Sequence, residues 1–219
     1  LWRSFGIAVK TTIICLVLGY PIAYFISRSK ESIQNILVLC ITVPTWINML
    51  VRTYAWIGLL NEGGLFQQIL GFFGLGEVDI LYTEFAVLLG MVYNFLPYMV
   101  IPIYSVISKL DVRLLEASAD LGCSPLGTLT KVVIPLSLSG IVSGVTMVFV
   151  PSISTFYISQ KLGGADMPLL IGDAIEKQFK TAGNPNLGAA LSLVLMLMVF
   201  ICTGIMNRFG SDEEGGVVV

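Results

Sequence analysis

The chain has 219 residues, 56% hydrophobic and 12% charged, with a formal net charge of −2, no histidine and a mean hydropathy of +0.89. That balance excludes a soluble domain, which has no use for so much apolar surface, and it leaves no basic footprint for nucleic acid. The missing histidine removes the commonest general base and metal ligand, and the cysteines (Cys15, Cys40, Cys123 and Cys202) form no CxxC pair, so neither a zinc site nor a disulfide framework is expected.

A helix needs about 20 mainly apolar residues to cross a hydrocarbon core about 30 Å thick, and a strand edge in lipid has no partner for its backbone. The expected fold class is therefore all-α, a polytopic membrane helix bundle. Five segments have the required length and composition: 5–27, 33–51, 85–108, 132–157 and 187–206. Arg28 and Lys30 occupy the short connection after the first. Trp46 and Trp56 bracket the outer part of the second and read as interfacial anchors, with Arg52 expected at the same interface rather than buried. The loop 60–84 carries Glu62, Glu77, Asp79 and Glu84, the last at the mouth of the third span. Within that span Tyr93, Asn94, Pro97, Tyr98, Pro102 and Tyr104 are unusual for a lipid-facing surface, and Pro97, lacking an N–H, frees a carbonyl near mid-membrane. The face around Tyr93, Asn94 and Tyr98 is a candidate path wall, with interfacial anchoring or helix packing as the alternative use of the tyrosines.

The fourth span contains Ser139, Gly140, Ser143 and Gly144, a small-residue face that lets helices approach closely. Towards its outer end Pro151, Ser152, Ser154, Thr155 and Tyr157 are candidates for a gate or pore wall, although serines can equally bond back to their own helix. In the loop 158–186, Pro168 is expected to open an amphipathic helix with Ile171, Ile175 and Phe179 on one stripe and Asp173, Glu176, Lys177 and Lys180 elsewhere. The loop acids, Asp166 among them, can attract cations, with Lys161, Lys177 and Lys180 interspersed. An acidic tail, 211–219, follows a permease domain, 1–210.

Arg28 and Lys30 in one connection, and Lys109, Arg113 and Lys131 around another, place both connections in the cytoplasm by the positive-inside rule. Alternating spans then put Leu1 outside and the acidic tail inside; a further helix ahead of Leu1, giving six spans in the full protein, would restore a cytoplasmic start.

The second of those connections, 109–135, is a polar, helix-forming insert between apolar runs. Asp111 can cap a short helix carrying Leu114, Leu115, Ala117, Ser118 and Leu121, and Gly122 sits where a left-handed terminal turn is easiest. Ser124 caps a second helix with Pro125 in first position, and Pro135 bends or loosens it at the membrane. The run Glu116, Ala117, Ser118, Ala119, Asp120, Leu121, Gly122, followed by Val132, Val133, Ile134 and Pro135, resembles the EAA loop of ABC importer permeases: Glu-Ala-Ala, three residues, Gly, nine residues, then Ile-x-Leu-Pro. Every spacing is kept, with Ser118, Val132 and Ile134 as the replaced positions.

The resemblance implies a type I ABC importer permease of the MetI-like kind, in which the short helix is gripped by a separate ATPase. On that reading Glu116, Ala117, Ser118, Asp120, Gly122 and Pro135 couple the two subunits. It also implies a homologous second permease, two ATP-binding cassette subunits, an extracytoplasmic substrate-binding protein, and a multi-pass location in the bacterial plasma (inner) membrane. ATP and Mg would belong to the partner, since this chain has no G-x-x-x-x-G-K-[ST] run; no cofactor or metal of its own is expected, and it is a transporter subunit rather than an enzyme. Further segments, Gly19 to Ala23, Arg52 to Trp56, Asn94 to Pro97, Phe149 to Pro151, Leu162 to Gly164, Ile171 to Ile175 and Gln178 with Phe179, are similar to the permeases of spermidine and putrescine importers. Importers of thiamine, ferric iron, sulfate and molybdate share parts of the pattern and remain alternatives, as does an ion-coupled carrier or channel. The path candidates are Tyr93, Asn94, Tyr98, Glu84, Ser152, Thr155 and Tyr157.

Overall fold

A computed structural model describes residues 2–72, 80–164 and 170–211, and within them the structure is helical. Three helices are long and apolar enough to cross a membrane unaided: α1 (Trp2–Arg28), α5 (Glu84–Ile107) and Pro185–Met206 of α12 (Pro185–Ser211). They match the expected first, third and fifth spans. The acids Glu77, Asp79 and Asp166, Pro168, and the tail beyond Ser211 lie outside the described residues.

The other two expected spans are broken. α2 (Glu31–Trp46) stops where Ile47 becomes extended, and α3 (Met49–Leu60) restarts at a 95° bend with the Asn48 side chain accepting from the Leu50 N–H at 2.8 Å. The cause is local. Pro44 cannot donate to the preceding turn, and Asn48 offers a new N-cap four residues later, so hydropathy continues through a point where the backbone does not. The expected span 33–51 is thus corrected to two helices, and α4 (Leu65–Phe72) lies within the expected loop 60–84.

The connection after α5 is α6 (Val112–Asp120) and α7 (Pro125–Thr128), followed by a π-helical stretch, Leu129–Val133, and α8 (Ile134–Leu136). A 70° bend at Ser137 leads into α9 (Leu138–Ser154), so the membrane part of the fourth span starts later than expected. Pro135 lacks the N–H that would continue the ladder, and the wider turn ahead of it absorbs the mismatch. An extended Thr155 ends α9; α10 (Tyr157–Leu162) and α11 (Ile171–Lys180) complete the chain before α12.

α5 is the hub, and glycines let its neighbours approach. A Cβ on Gly19 of α1 would lie 3.0 Å from Met99 Cγ, and one on Gly144 of α9 would lie 2.9 Å from Met99 Sδ, so the Met99 side chain is wedged between two glycines. A Cβ on Gly140 would likewise lie 3.0 Å from the Pro102 carbonyl oxygen, so Gly140 and Gly144 are the packing surface of the fourth span, whereas Ser143 of the same expected small-residue face is exposed. Buried Met91, Val100, Ile103 and Ile107 continue this core. α12 turns Leu193, Leu197, Phe200 and Ile201 outward, as a lipid-facing helix does.

Two ends of the bundle are distinguished by their hydrogen bonds. At one, Gln34 Nε2 donates to the Ser27 and Ser29 carbonyls, Tyr104 Oη donates to Gln34 Oε1, and Tyr20 and Ser137 pair through their hydroxyls at 3.0 Å. This end carries Arg28, Lys30 and the 109–135 insert together. At the other, Lys10 meets Glu84, and the Ile171 N–H donates to Ser4 Oγ at 2.8 Å.

Candidate functional site: the helical insert and the opposite mouth

The insert forms as its cap residues dictate. Asp111 accepts from the Arg113 N–H at 2.9 Å, opening α6. At the other end the Cys123 N–H reaches the Ser118 carbonyl (3.1 Å) and the Gly122 N–H the Ala119 carbonyl (2.9 Å), the reciprocal pair of a Schellman turn. Gly122 has φ +78°, a left-handed conformation that a side chain disfavours. Ser124 then accepts from the Gly127 N–H, with Pro125 opening α7.

The two short helices are pinned by a bond that the sequence did not suggest: Ser118 Oγ and Thr128 Oγ1 lie 2.5 Å apart, both buried. Ser118 is therefore the inward side of α6, while Glu116, Ala117 and Asp120 are exposed beside it. Pro135 sits apart from these, exposed near the 70° bend. Large apolar side chains also point outward, Leu121 being 85% and Leu126 74% exposed. Four expected coupling residues thus gather on one helix with Gly122 at its end, and Pro135 marks where that unit joins the membrane helix.

From the opposite mouth down into the third span the path candidates separate. Tyr93 and Tyr98 are exposed, and Tyr93 meets Trp56 edge-to-face with centroids 5.4 Å apart. Asn94 does not share their open surface: it is 2% exposed, and its Nδ2 donates to the Gly90 carbonyl at 2.7 Å. Consecutive residues on a helix lie about 100° apart, so Asn94 faces the interior of the bundle; its Oδ1 has no partner among the described residues. Ser152 is buried and donates to the Val148 carbonyl at 2.6 Å, and Ser154 bonds back to Val150, which is the helix-internal use of these serines. Thr155 lies in the extended break after α9, and Tyr157 opens α10 against the ring of Tyr54. Glu84, beside the N-cap Thr83, is held 2.5 Å from Lys10 Nζ in an exposed ion pair, which offsets its pull on cations.

Two charged residues sit deeper than expected. Arg52 is 8% exposed in the first turn of α3, just past the 95° bend at Ile47 and Asn48, and not at an open interface. Asp173, expected on the polar side of α11, is 3% exposed. It sits at the third position of the helix, where its carboxylate turns back to accept from the Leu170 N–H (3.0 Å) and Ser159 Oγ (2.9 Å). Burial pushes its pKa up from the usual carboxylate value, with these bonds opposing. Glu176, by contrast, is only partly buried and is held low by its bond to Lys180. Gly172 makes the close fit possible, since a Cβ there would stand 2.6 Å from the Ser154 carbonyl oxygen. An aspartate three residues after a helix start, preceded by glycine, was the available sequence signal. Among the described residues no cluster of acids and cysteines has the geometry to hold a metal ion.

Known proteins fit this architecture. The family model for "binding-protein-dependent transport system inner membrane component" matches residues 16–211. The spermidine/putrescine transport system permease protein PotB of Salmonella typhimurium (strain SL1344) is 40% identical over 201 residues, spanning 91% of this chain and 70% of that protein. PotB of Escherichia coli (strain K12) is 39% identical over 201 residues, spanning 91% and 73%. A crystal structure of a bacterial alginate ABC transporter, in complex with an alginate pentasaccharide-bound periplasmic protein, superimposes with a TM-score of 0.73 over 96% of this chain and 78% of that one, at 12% identity, and so supports the fold alone. A bundle with a capped two-helix insert at one end, matched along nearly its whole length, belongs to the family of binding-protein-dependent transport system inner membrane components.

Proposed function

We propose that this chain is one of two permease subunits of an ATP-driven importer for spermidine and putrescine, moving cargo by alternating access. The observation that carries the cargo is the 40% identity to PotB along 91% of the chain. Chemistry is compatible. Tyr93, Tyr98 and Trp56 offer aromatic faces on which an ammonium group can rest without being trapped as it would be by a buried carboxylate.

Coupling is proposed to run through α6 and α7. The exposed Glu116, Ala117 and Asp120, with Leu121 and Leu126, form a surface that water alone covers poorly and that a groove on an ATPase subunit can bury. Ser118 and Thr128 make the two helices one body, so force applied at α6 reaches the bend at Ser137 and hence α9. ATP and Mg belong to that partner. The full complex on this reading holds two permeases, two ATPase subunits and an extracytoplasmic binding protein in the bacterial inner membrane.

The test is uptake of radiolabelled spermidine and putrescine into vesicles containing the whole complex, with thiamine, ferric iron, sulfate and molybdate as comparison cargoes. ATP-dependent polyamine uptake is the expected result. Uptake of a comparison cargo with none of either polyamine overturns the cargo and leaves the permease role intact.

A further inference from the structure

At the mouth opposite the insert, Tyr54 of α3 and Tyr157 of α10 meet edge-to-face, centroids 6.4 Å apart and planes at 75°. Lys161, one turn after Tyr157 on α10, places its Nζ 5.7 Å from the centroid of the Tyr54 ring. Residues four apart on a helix share a face, so α10 supplies both the bracing ring and the cation, while α3 supplies the face that receives it. Among the described residues Lys161 makes no ion pair with a carboxylate; its charge rests on an aromatic ring instead. That choice is available to it because Tyr54 is more than half exposed and Tyr157 holds one edge.

A lysine side chain is a tetramethylene stem ending in a primary ammonium, which is also the chemistry of one end of a linear alkyl diamine. Resting on the proposed cargo, the geometry points to the Tyr54–Tyr157 pair as a seat for a terminal ammonium group of the transported polyamine, filled in this structure by the chain's own Lys161. The tethered amine keeps the seat occupied when no cargo is present. An arriving diamine displaces it, and Lys161 swings to solvent on its flexible stem. Lys161 is then an internal competitor that weakens cargo binding and favours release into the path, as a site that must both load and empty requires.

The inference is tested by equilibrium binding of radiolabelled putrescine to the purified permease–ATPase complex, with uptake by wild-type vesicles measured alongside. Lys161→Met removes the competitor and is expected to lower Kd about two- to fivefold, the ratio set by an exposed cation–π contact. Lys161→Gln gives the same direction should the Met variant insert poorly. Tyr54→Leu raises Kd by a similar factor, and Tyr54→Phe, which keeps the ring face, leaves it near the wild-type value. In a Tyr54→Leu background, Lys161→Met gains nothing, because the seat it vacates no longer exists. Wild-type polyamine uptake with Kd unmoved by Lys161→Met and Tyr54→Leu, or with effects that multiply independently, overturns the seat alone. Absence of polyamine uptake by the wild-type complex overturns the cargo reading, and the seat with it.

Discussion

Replacing Gly122 separates backbone geometry from packing at the insert. Its φ of +78° lies in the left-handed region, and a Cβ built there meets nothing within 4 Å. The whole cost of Gly122→Val is therefore conformational: about 1–2 kcal/mol for forcing an L residue left-handed, which reduces the population of the correct turn about 5- to 30-fold. Asn tolerates this region better, so Gly122→Asn is expected to lose much less. Gly183 supplies the control, with φ +63°, nothing within 4 Å of its Cβ, and a position after α11, at the opposite end from the insert. Gly183→Val pays the same strain without touching the coupling unit. The assay is ATP-dependent uptake normalised to membrane abundance, with recovery of the ATPase on affinity purification. Gly122→Val should lower uptake and ATPase recovery at normal abundance, Gly122→Asn should retain most of both, and Gly183→Val should retain ATPase recovery. Equal ATPase recovery in Gly122→Val and wild type refutes the reasoning, since the turn would then not be what the partner grips.

Ser118→Ala breaks the 2.5 Å bond to Thr128 and leaves a buried hydroxyl unpaired, a loss of about 1–3 kcal/mol that a Ser118→Ala/Thr128→Val double variant partly restores; thermal unfolding of the purified complex reads both. Gly172→Ala drives a Cβ to 2.6 Å from the Ser154 carbonyl oxygen and should destabilise by about 1–3 kcal/mol, lowering Tm, whereas Gly58→Ala, with open space around it, should be neutral or stabilising. Asp173 has a pKa raised by burial, so the folded state holds the proton more tightly than the unfolded state does. Its contribution to stability is fully present below the unfolded value, 3.8, and is lost as pH rises above it through the higher folded value. Asp173→Asn keeps an acceptor for Leu170 and Ser159 without the charge, so Tm measured from pH 4 upward should fall in the wild type relative to Asp173→Asn; a constant difference across that range refutes the buried-charge assignment.

What the sequence revealed depended on how local the cause was. The insert was legible to the residue because caps and turns are set by neighbours: Asp111, Gly122, Ser124 and Pro125 each act within one helical turn. Spans α1, α5 and α12 were legible because length and hydropathy suffice for a straight helix. The break between Trp46 and Met49 was not, since apolar residues continue through it and only Pro44 and Asn48 mark the punctuation. Which way a polar side chain faces was hardest. The sequence puts Arg52 at the outer interface and Asn94 on a path face with Tyr93 and Tyr98, whereas Asn94 is buried with its Nδ2 on the Gly90 carbonyl and Arg52 is buried in α3, just past the break at Ile47 and Asn48. Asp173 was assigned by an amphipathic stripe, and the helix-start bond to Leu170 turned it inward instead.

The proposed docking of α6 and α7 into a separate ATPase can be read by photo-crosslinking. A photoreactive amino acid is placed at Leu121, with Ile201 on the outward face of α12 as the control position, both exposed in the isolated subunit. After purification of the illuminated complex from cells expressing the ATPase and both permeases, a crosslink from Leu121 to the ATPase subunit and none from Ile201 is expected. A Leu121 probe that labels only lipid or the second permease, in a complex that transports normally, would contradict it.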